Sequence, residues 1–458
     1  MIPGSPGGAA PAPCDPRLGG VGQDARQAPP EWGGGGTEAH VASGLARDTD
    51  PAEVGLDGGR LQRLDRRLAR WVDDGQLPGF LVTVSRHGRL AHVGRYGLRD
   101  VENSRPVEED TRWRIFSMTK PVTSVAAMLL YEEGALDLGD PIARWLPEFA
   151  ETRVYVAGSA ARPVTQPQVE PIRVRHLLTH TSGLTYGFHH AHPVDAMYRA
   201  MGHEWGTPPG VDAAEACRQW ASVPLVFQPG SEWNYGVSTD VLGRLVEVVS
   251  GQSLDVFLEE RVFRPLGMTD TSFGLREDDD PDSLARLYGA VPGQPGGAPT
   301  GFAPIDAMGA AALTKPTFLS GGGGLVSTAG DYLRFAEMLR RGGAHDGGRL
   351  LGPRTLAYMV RNHLPGDADL EAFGRPLFAE TPLRGVGFGL GFSMVIDPVR
   401  YGGVASAGDY SWGGAASTAF YVDPVEDVVV TFYTQLLPSS TLPVRAHLRA
   451  LVNQAIVQ

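Results

Sequence analysis

Strand-like runs occupy the two ends of this chain and helix-like runs its middle, and that order restricts the folds open to it more than any other feature. Near the start, FLVTVSRHGRLAHVGRYG reads as two short β-rich runs around His87-Gly88, a hairpin. Near the end, GLGFSMVID, AASTAFYVDP and DVVVTFYTQ are three more such runs, separated by turn residues. Between them TKPVTSVAAMLLYEE, IRVRHLLTHTSG, STDVLGRLVEVVSG and SLDVFLEERVFRPLG read as helices closed by Gly134, Gly183, Gly251 and Gly267. In STAGDYLRFAEMLRRGG, Thr328 and Asp331 stand at capping-box spacing. The sheet unit is expected from both termini, residues 51–116 and 385–458, with a mainly helical unit, 117–384, inserted between them. An amphipathic helix with Leu61, Leu64, Leu68 and Trp71 on one face and a last helix over LPVRAHLRALVNQAIVQ flank the strands.

Residues 1–50 are rich in Gly, Pro and Ala, with GGGG at Gly33 to Gly36, and hold too few large apolar groups to offset the entropy of ordering. They read as a flexible tail. The formal charge of −12 and the absence of a basic run argue against nucleic acid or an anionic membrane as the main partner. Two isolated cysteines, Cys14 and Cys217, make neither a disulfide framework nor a metal site. No apolar run nears the roughly 18 residues that span a bilayer. The first residues lack the basic start and apolar middle of a signal peptide, so a cytoplasmic location is expected.

The stretch RIFSMTKPVTSV places Ser117 three residues before Lys120 at the mouth of an apolar, alanine-rich helix. If the helix begins near Ser117, the two side chains share one face, one turn apart. A lysine buried there loses hydration, which lowers its pKa and lets it act as a base, and Pro121 fits a first turn whose N–H groups are unpaired. Ser-Lys pairs are a known form of activated serine. Alone, the motif is equally a capping serine followed by a solvated lysine.

Other runs sharpen it. FQPGSEWNYGVSTDVLG carries Tyr235 after a turn and before a helix, and YSWGGAASTAFYVDP carries Trp412-Gly413-Gly414. The order Ser-x-x-Lys, Tyr, then a glycine-bearing strand, with HLLTHTSGL and GGGGLVSTAGDYLRF between, resembles the serine β-lactamase-like superfamily over residues 55–458. Within it the chain looks most like family VIII carboxylesterases and class C β-lactamases. The resemblance implies an α+β fold: an antiparallel sheet flanked by helices, formed from both chain ends, with a mainly helical insertion. It implies Ser117 as nucleophile, Lys120 as base, Tyr235 as proton carrier, and an oxyanion hole of the Ser117 and Ala415 backbone N–H groups. Trp412, Gly413, Gly414 and Val237 would contact substrate. No cofactor and no metal is implied.

Two departures bear on substrate. Val237 stands where the β-lactamase pattern has asparagine, and Trp412 where it has lysine, so groups that hold a substrate amide and carboxylate are replaced. The expected reaction is hydrolysis of small, short-chain carboxylic esters through an acyl-enzyme. An acyltransferase, a weak β-lactamase or D-peptidase, and a non-catalytic sensor are the alternatives. No serine has the G-x-S-x-G context of the other common esterase fold. His189, His190 and His192 cluster without metal-ligand spacing and read as a polar loop. His176 and His180 read as packing and hydrogen-bonding residues, and Trp113, Trp205, Trp220 and Trp233 as core or cleft wall. The run Gly321–Val326 lacks the Gly-Lys-Ser/Thr ending of a phosphate loop and reads as a turn beside the site.

Overall fold

Alternating side chains explain the central sheet of the computed structural model, which describes residues 45–293 and 299–458. In strand β1 (Gly79–Arg86), Phe80, Val82 and Val84 point to one face while Leu81, Thr83 and Ser85 point to the other, and all are buried. A two-residue turn with His87 at φ 56° and Gly88 at φ 74° joins it to β2 (Arg89–Asp100), as the primed turn of a right-twisted hairpin requires. A short β3 (Arg105–Pro106) completes that edge.

The other strands come from the far end of the chain: β4 (Val386–Phe388), β5 (Ser393–Val395), β6 (Tyr410–Gly413), β7 (Ala419–Asp423) and β8 (Val428–Tyr433). The order is β4-β5-β6-β7-β8-β1-β2-β3, antiparallel throughout, so the two termini meet at the β8–β1 pair. There Thr83 and Thr431 share a 2.6 Å hydrogen bond between their hydroxyls inside the sheet. This is the α+β architecture expected from the sequence.

Helices cover both faces. On one, α1 (Gly58–Asp73) brings Leu61, Leu64, Leu68 and Trp71, and the C-terminal helix (Val444–Asn453) brings Val444, Leu448 and Val452, onto Phe80, Val82, Val430 and Phe432. On the other lies the helix Ala329–Arg340, whose Thr328 accepts from the Asp331 N–H at 3.3 Å. Asp331 does not complete the capping box. Its carboxylate takes the Asp270 N–H, Thr271 and Arg334 instead.

In the inserted part, α2 (Thr119–Glu132) is buried from Thr119 to Leu130, which fits a helix apolar on nearly every side. It packs against α3 (Ser238–Ser250). Three expectations need correction. The helix at IRVRHLL spans only Val174–Leu178 and ends well before Gly183, because His180 adopts φ 53°. The middle is less helical than expected: it holds an exposed hairpin, Arg153–Ser159 with Arg162–Pro167, and several strands of two to four residues. Of this hairpin only Val154 is buried, so no run of hydrophobic alternation betrays it. The tail does not run to residue 50, since Leu45 is buried in the main core and Asp50 caps the turn Pro51–Val54. The rest of that tail, with Cys14, lies outside the described residues; Cys217 is a buried free thiol. Among the described residues no helix is long and apolar enough to cross a membrane.

The C-terminal helix is pinned by a buried ion pair. Arg449 Nε and Nη2 donate to the two oxygens of Asp409 at 2.8 Å each. Arg449→Met should leave that carboxylate uncompensated and lower unfolding stability by about 3–5 kcal/mol, read as a fall in the urea midpoint. A midpoint unchanged from the parent would show that the pair contributes nothing net.

Candidate active site

The chain enters α2 through a single tight turn, Phe116–Met118, whose geometry sets the position of Ser117. Phe116 has φ 44°, a left-handed backbone that bulky residues avoid at a cost of about 1–3 kcal/mol. The surroundings hold it there. Ile115 donates its N–H to Leu325 at 3.1 Å, Met118 accepts from the Tyr332 hydroxyl at 2.9 Å, and Thr119 accepts from the Leu325 N–H at 3.2 Å. Ser117 therefore precedes the helix proper, which starts at Thr119, and is 9% exposed.

Lys120, one turn on, is 2% exposed. Its Nζ lies 3.2 Å from Ser117 Oγ and donates to the Gly322 carbonyl at 2.7 Å. Burial lowers its pKa to about 8, partly opposed by the negative charges of Asp240 and Glu380. Tyr235 arrives from the turn before α3, and its hydroxyl donates to Ser117 Oγ at 2.6 Å. Burial pushes the Tyr235 pKa well above its ordinary value, and Glu380 adds to the rise. The ring packs against His180, Tyr186 and Trp412, with centroids 5.1, 5.3 and 5.5 Å away, and faces Lys120 Nζ at 4.6 Å. The three residues singled out from the sequence thus form one hydrogen-bonded cluster.

Gly321–Gly323 form a turn beside them, as expected, although Leu325 and Val326 already belong to a strand, and two features of the turn were not legible. Gly322 offers its carbonyl to Lys120 while its N–H donates to Asp240 Oδ1 at 3.0 Å, so one peptide links the amine to a buried carboxylate. Asp240 also accepts from Ser320 at 2.5 Å. In the sequence Asp240 looked like an acid in the first turn of a helix, an ordinary place for one. Glu380 had no signal at all; it sits in a loop and reaches the site only through the fold.

The cluster opens into a cavity of about 370 Å³. Ser117, Tyr235, Val237, Ala415, Asp240 and Glu380 line it, with Phe116, Tyr186, Phe188, Trp205, Trp220, Phe318 and Phe378 as aromatic walls. The Ala415 N–H makes no hydrogen bond among the described residues, and the Ser117 N–H lies in the first turn, where backbone donors lack intrahelical partners. Both residues border the same space. A larger open groove of about 1000 Å³, between Asp255 and Arg276, contains none of the three clustered residues.

The glycine-bearing strand differs from its expected role. Trp412-Gly413 closes β6 instead of opening a strand, and Trp412 is 1% exposed and does not line the cavity. It packs against Tyr235 and Phe388, with ring centroids 5.5 and 5.4 Å away, where the resemblance implied a substrate contact. Nor do the glycines clear a path for substrate. A Cβ on Gly413 would lie 2.0 Å from Arg445 Nη2, and one on Gly414 would lie 2.4 Å from the Ile115 carbonyl oxygen and 2.2 Å from Thr418 Oγ1. Val237 does line the cavity.

The histidines disperse. His189 Nε2 lies 2.7 Å from the Tyr235 carbonyl, His190 pairs with Glu204, and His192 caps Pro193–Ala200. Among the described residues no group of three acidic, His or Cys side chains is placed to hold a metal. Burial, then the Lys120 charge, lowers the pKa of His180 well below its ordinary value, so the ring is a neutral packing partner. Trp113, Trp220 and Trp233 are buried, whereas Trp205 is exposed at the cavity mouth, stacked on Phe188.

The family model described as Beta-lactamase matches residues 64–454. The chain belongs to the beta-lactamase family. It is 37% identical over 391 residues to an uncharacterized Mycobacterium tuberculosis protein, covering 82% of this chain and 90% of that one. It is 34% identical over 392 residues to esterase EstB of Burkholderia gladioli, covering 82% and 91%. The solved structure of EstCE1, a hydrolase with promiscuous acyltransferase activity, superposes with TM-score 0.71 at 27% identity, covering 87% of this chain and 99% of that one. The fold is that of the serine β-lactamase-like superfamily, and the protein is an enzyme of the serine-hydrolase type.

Gly414→Ala tests the close approach between β6 and the Ser117 turn. The methyl group would push Ile115 away, and labelling of Ser117 by a fluorophosphonate should slow at least about tenfold, since small displacements of a reacting group are costly. Labelling at the parental rate would show that the turn does not depend on this contact.

Proposed function

We propose that the protein is a carboxylesterase that cleaves short-chain, neutral esters through an acyl-enzyme on Ser117. The observation that carries this reading is the placement of one serine hydroxyl between a desolvated lysine amine, 3.2 Å away, and a buried tyrosine hydroxyl, 2.6 Å away, on the wall of an apolar cavity. A neutral Lys120 amine has two protons and one lone pair. One N–H stays hydrogen-bonded to the Gly322 carbonyl while the lone pair accepts the Ser117 proton as Oγ attacks the ester carbon. The ammonium so formed faces the Tyr235 ring at 4.6 Å and lies in the field of Asp240. Tyr235, too weak an acid to ionise on its own, relays that proton to the leaving alkoxide and regains one from Lys120. The Ser117 and Ala415 N–H groups receive the charge on the carbonyl oxygen. Water, activated by the same groups in reverse, releases the acid.

Similarity to EstB and EstCE1 supports ester hydrolysis, and the name of the latter supports a second reading in which an alcohol takes the acyl group. The aromatic walls favour that variant, because they could seat an apolar acceptor alcohol and keep water out. Val237 offers no hydrogen bond to a substrate amide, which disfavours β-lactams and peptides.

Parent enzyme should release 4-nitrophenol from the acetate and butyrate esters faster than from palmitate, and faster than it opens nitrocefin. Ser117→Ala, folded, should lose several orders of magnitude of this activity; substantial residual turnover in a pure sample would sink the assignment.

The pH profile carries its own sign. Lys120 acts as the neutral amine, so the acylation rate should rise with pH through about 8 and fall about tenfold for each unit below it. Asp240→Asn removes a negative charge that holds the lysine pKa up, so the acid limb should move to lower pH. A limb unmoved by that change, or a profile flat to pH 5, would exclude lysine as the base.

A further inference from the structure

Arg445, in the first turn of the C-terminal helix, lies against Gly413, where a Cβ would come 2.0 Å from its Nη2. Its Nη2 donates to Glu380 Oε2, which also accepts from Ser439 Oγ at 2.8 Å. Glu380 is 2% exposed yet lines the Ser117 cavity, and its Oε1 has no partner among the described residues. Its charge is felt at the site, where it raises the pKa of both Lys120 and Tyr235. Arg445 does not itself line this cavity; it stands behind Glu380, so that the carboxylate, backed by a cation, is the group that faces the substrate.

We propose that Glu380 is the residue that sets the charge preference of the substrate: it holds Arg445, takes the place a substrate carboxylate would otherwise fill, and leaves a cavity that accepts neutral or cationic esters and rejects anionic ones. The proposal rests on the ester-hydrolase reading and names the substrate class of that site. Two carboxylates cannot share one partly buried guanidinium cheaply, because like charges in a poorly hydrated space repel strongly. The preference is thus assigned to one loop residue and not to the strand motif, since Trp412 is buried and does not line the cavity. With Glu380 neutral, the charge of Arg445 behind it is no longer offset, and a guanidinium suits a carboxylate.

The test compares 4-nitrophenyl hexanoate with mono-4-nitrophenyl adipate, which differ by a terminal carboxylate. Parent enzyme should prefer the hexanoate. Glu380→Gln keeps the size of the side chain and an acceptor for Ser439, and should raise the adipate-to-hexanoate ratio of kcat/KM about tenfold. Glu380→Asp, which keeps the charge, should hold the parental ratio, and adding Arg445→Met to Glu380→Gln should cancel the gain. A second readout needs neither turnover nor a reactive ester: millimolar adipate should raise the melting temperature of Glu380→Gln and not that of the parent. A ratio and a thermal shift both unchanged by Glu380→Gln, or a gain that survives Arg445→Met, would overturn the proposal. Failure of the parent to cleave either ester would instead count against the ester-hydrolase reading, and the thermal shift would still decide the role of Glu380.

Discussion

An ammonium group buried at 2% exposure is the constraint around which the site is arranged. Lys120 cannot keep its full charge there without compensation, and it cannot be left without hydrogen-bond partners. The fold meets both demands with one loop. Gly322 gives a carbonyl to the amine and an N–H to Asp240, so the carboxylate acts on the lysine through a peptide and across space, without direct contact. The outcome is a pKa near 8, between that of a free lysine and that of a fully desolvated one. A direct ion pair would hold the amine protonated. No carboxylate at all would let the pKa fall further and would remove the charge that stabilises the ammonium once formed.

That arrangement depends on close packing of backbones from distant parts of the chain. Gly321 and Gly322 lie against α3, with added Cβ atoms 2.8 Å from the Thr239 carbonyl oxygen and 2.4 Å from Asp240 Oδ2. Gly414 lies against Ile115 in the same way. The strained Phe116 is held through its neighbours by three hydrogen bonds, two to Leu325 and one to Tyr332. Strain of this kind persists where neighbours over-determine the backbone, and here it lifts Ser117 out of the regular helix toward the cavity. The sheet, with the two chain termini joined at β8–β1, is the rigid body to which that turn is fixed.

Charge is handled differently at the cavity and in the sheet. Arg449 and Asp409 form a closed, two-point pair with no room for a third group. Arg445 and Glu380 form a pair whose carboxylate borders the cavity and leaves one oxygen without a partner among the described residues. The first fixes a helix. The second shapes the field that a substrate meets, and it does so although neither residue belongs to a recognisable motif.

Much of this was determined locally. The alternation in FLVTVSR and DVVVTFY, the His87-Gly88 turn, the apolar α2 and the Ser-x-x-Lys spacing are short-range patterns, and each specifies an element or a neighbour within one or two turns. They were enough for the sheet of both termini and for the Ser117–Lys120 pair; Tyr235 came from the resemblance to the superfamily. What only the tertiary structure decided depends on contacts between residues far apart in the chain. Trp412 became a packing residue because β6 turns it toward Tyr235 and Phe388. Asp240 and Glu380 became part of the site because loops carry them there from positions with no periodic signature. A sequence pattern records which face of an element is apolar; it does not record which distant carboxylate the fold will bring beside a buried amine.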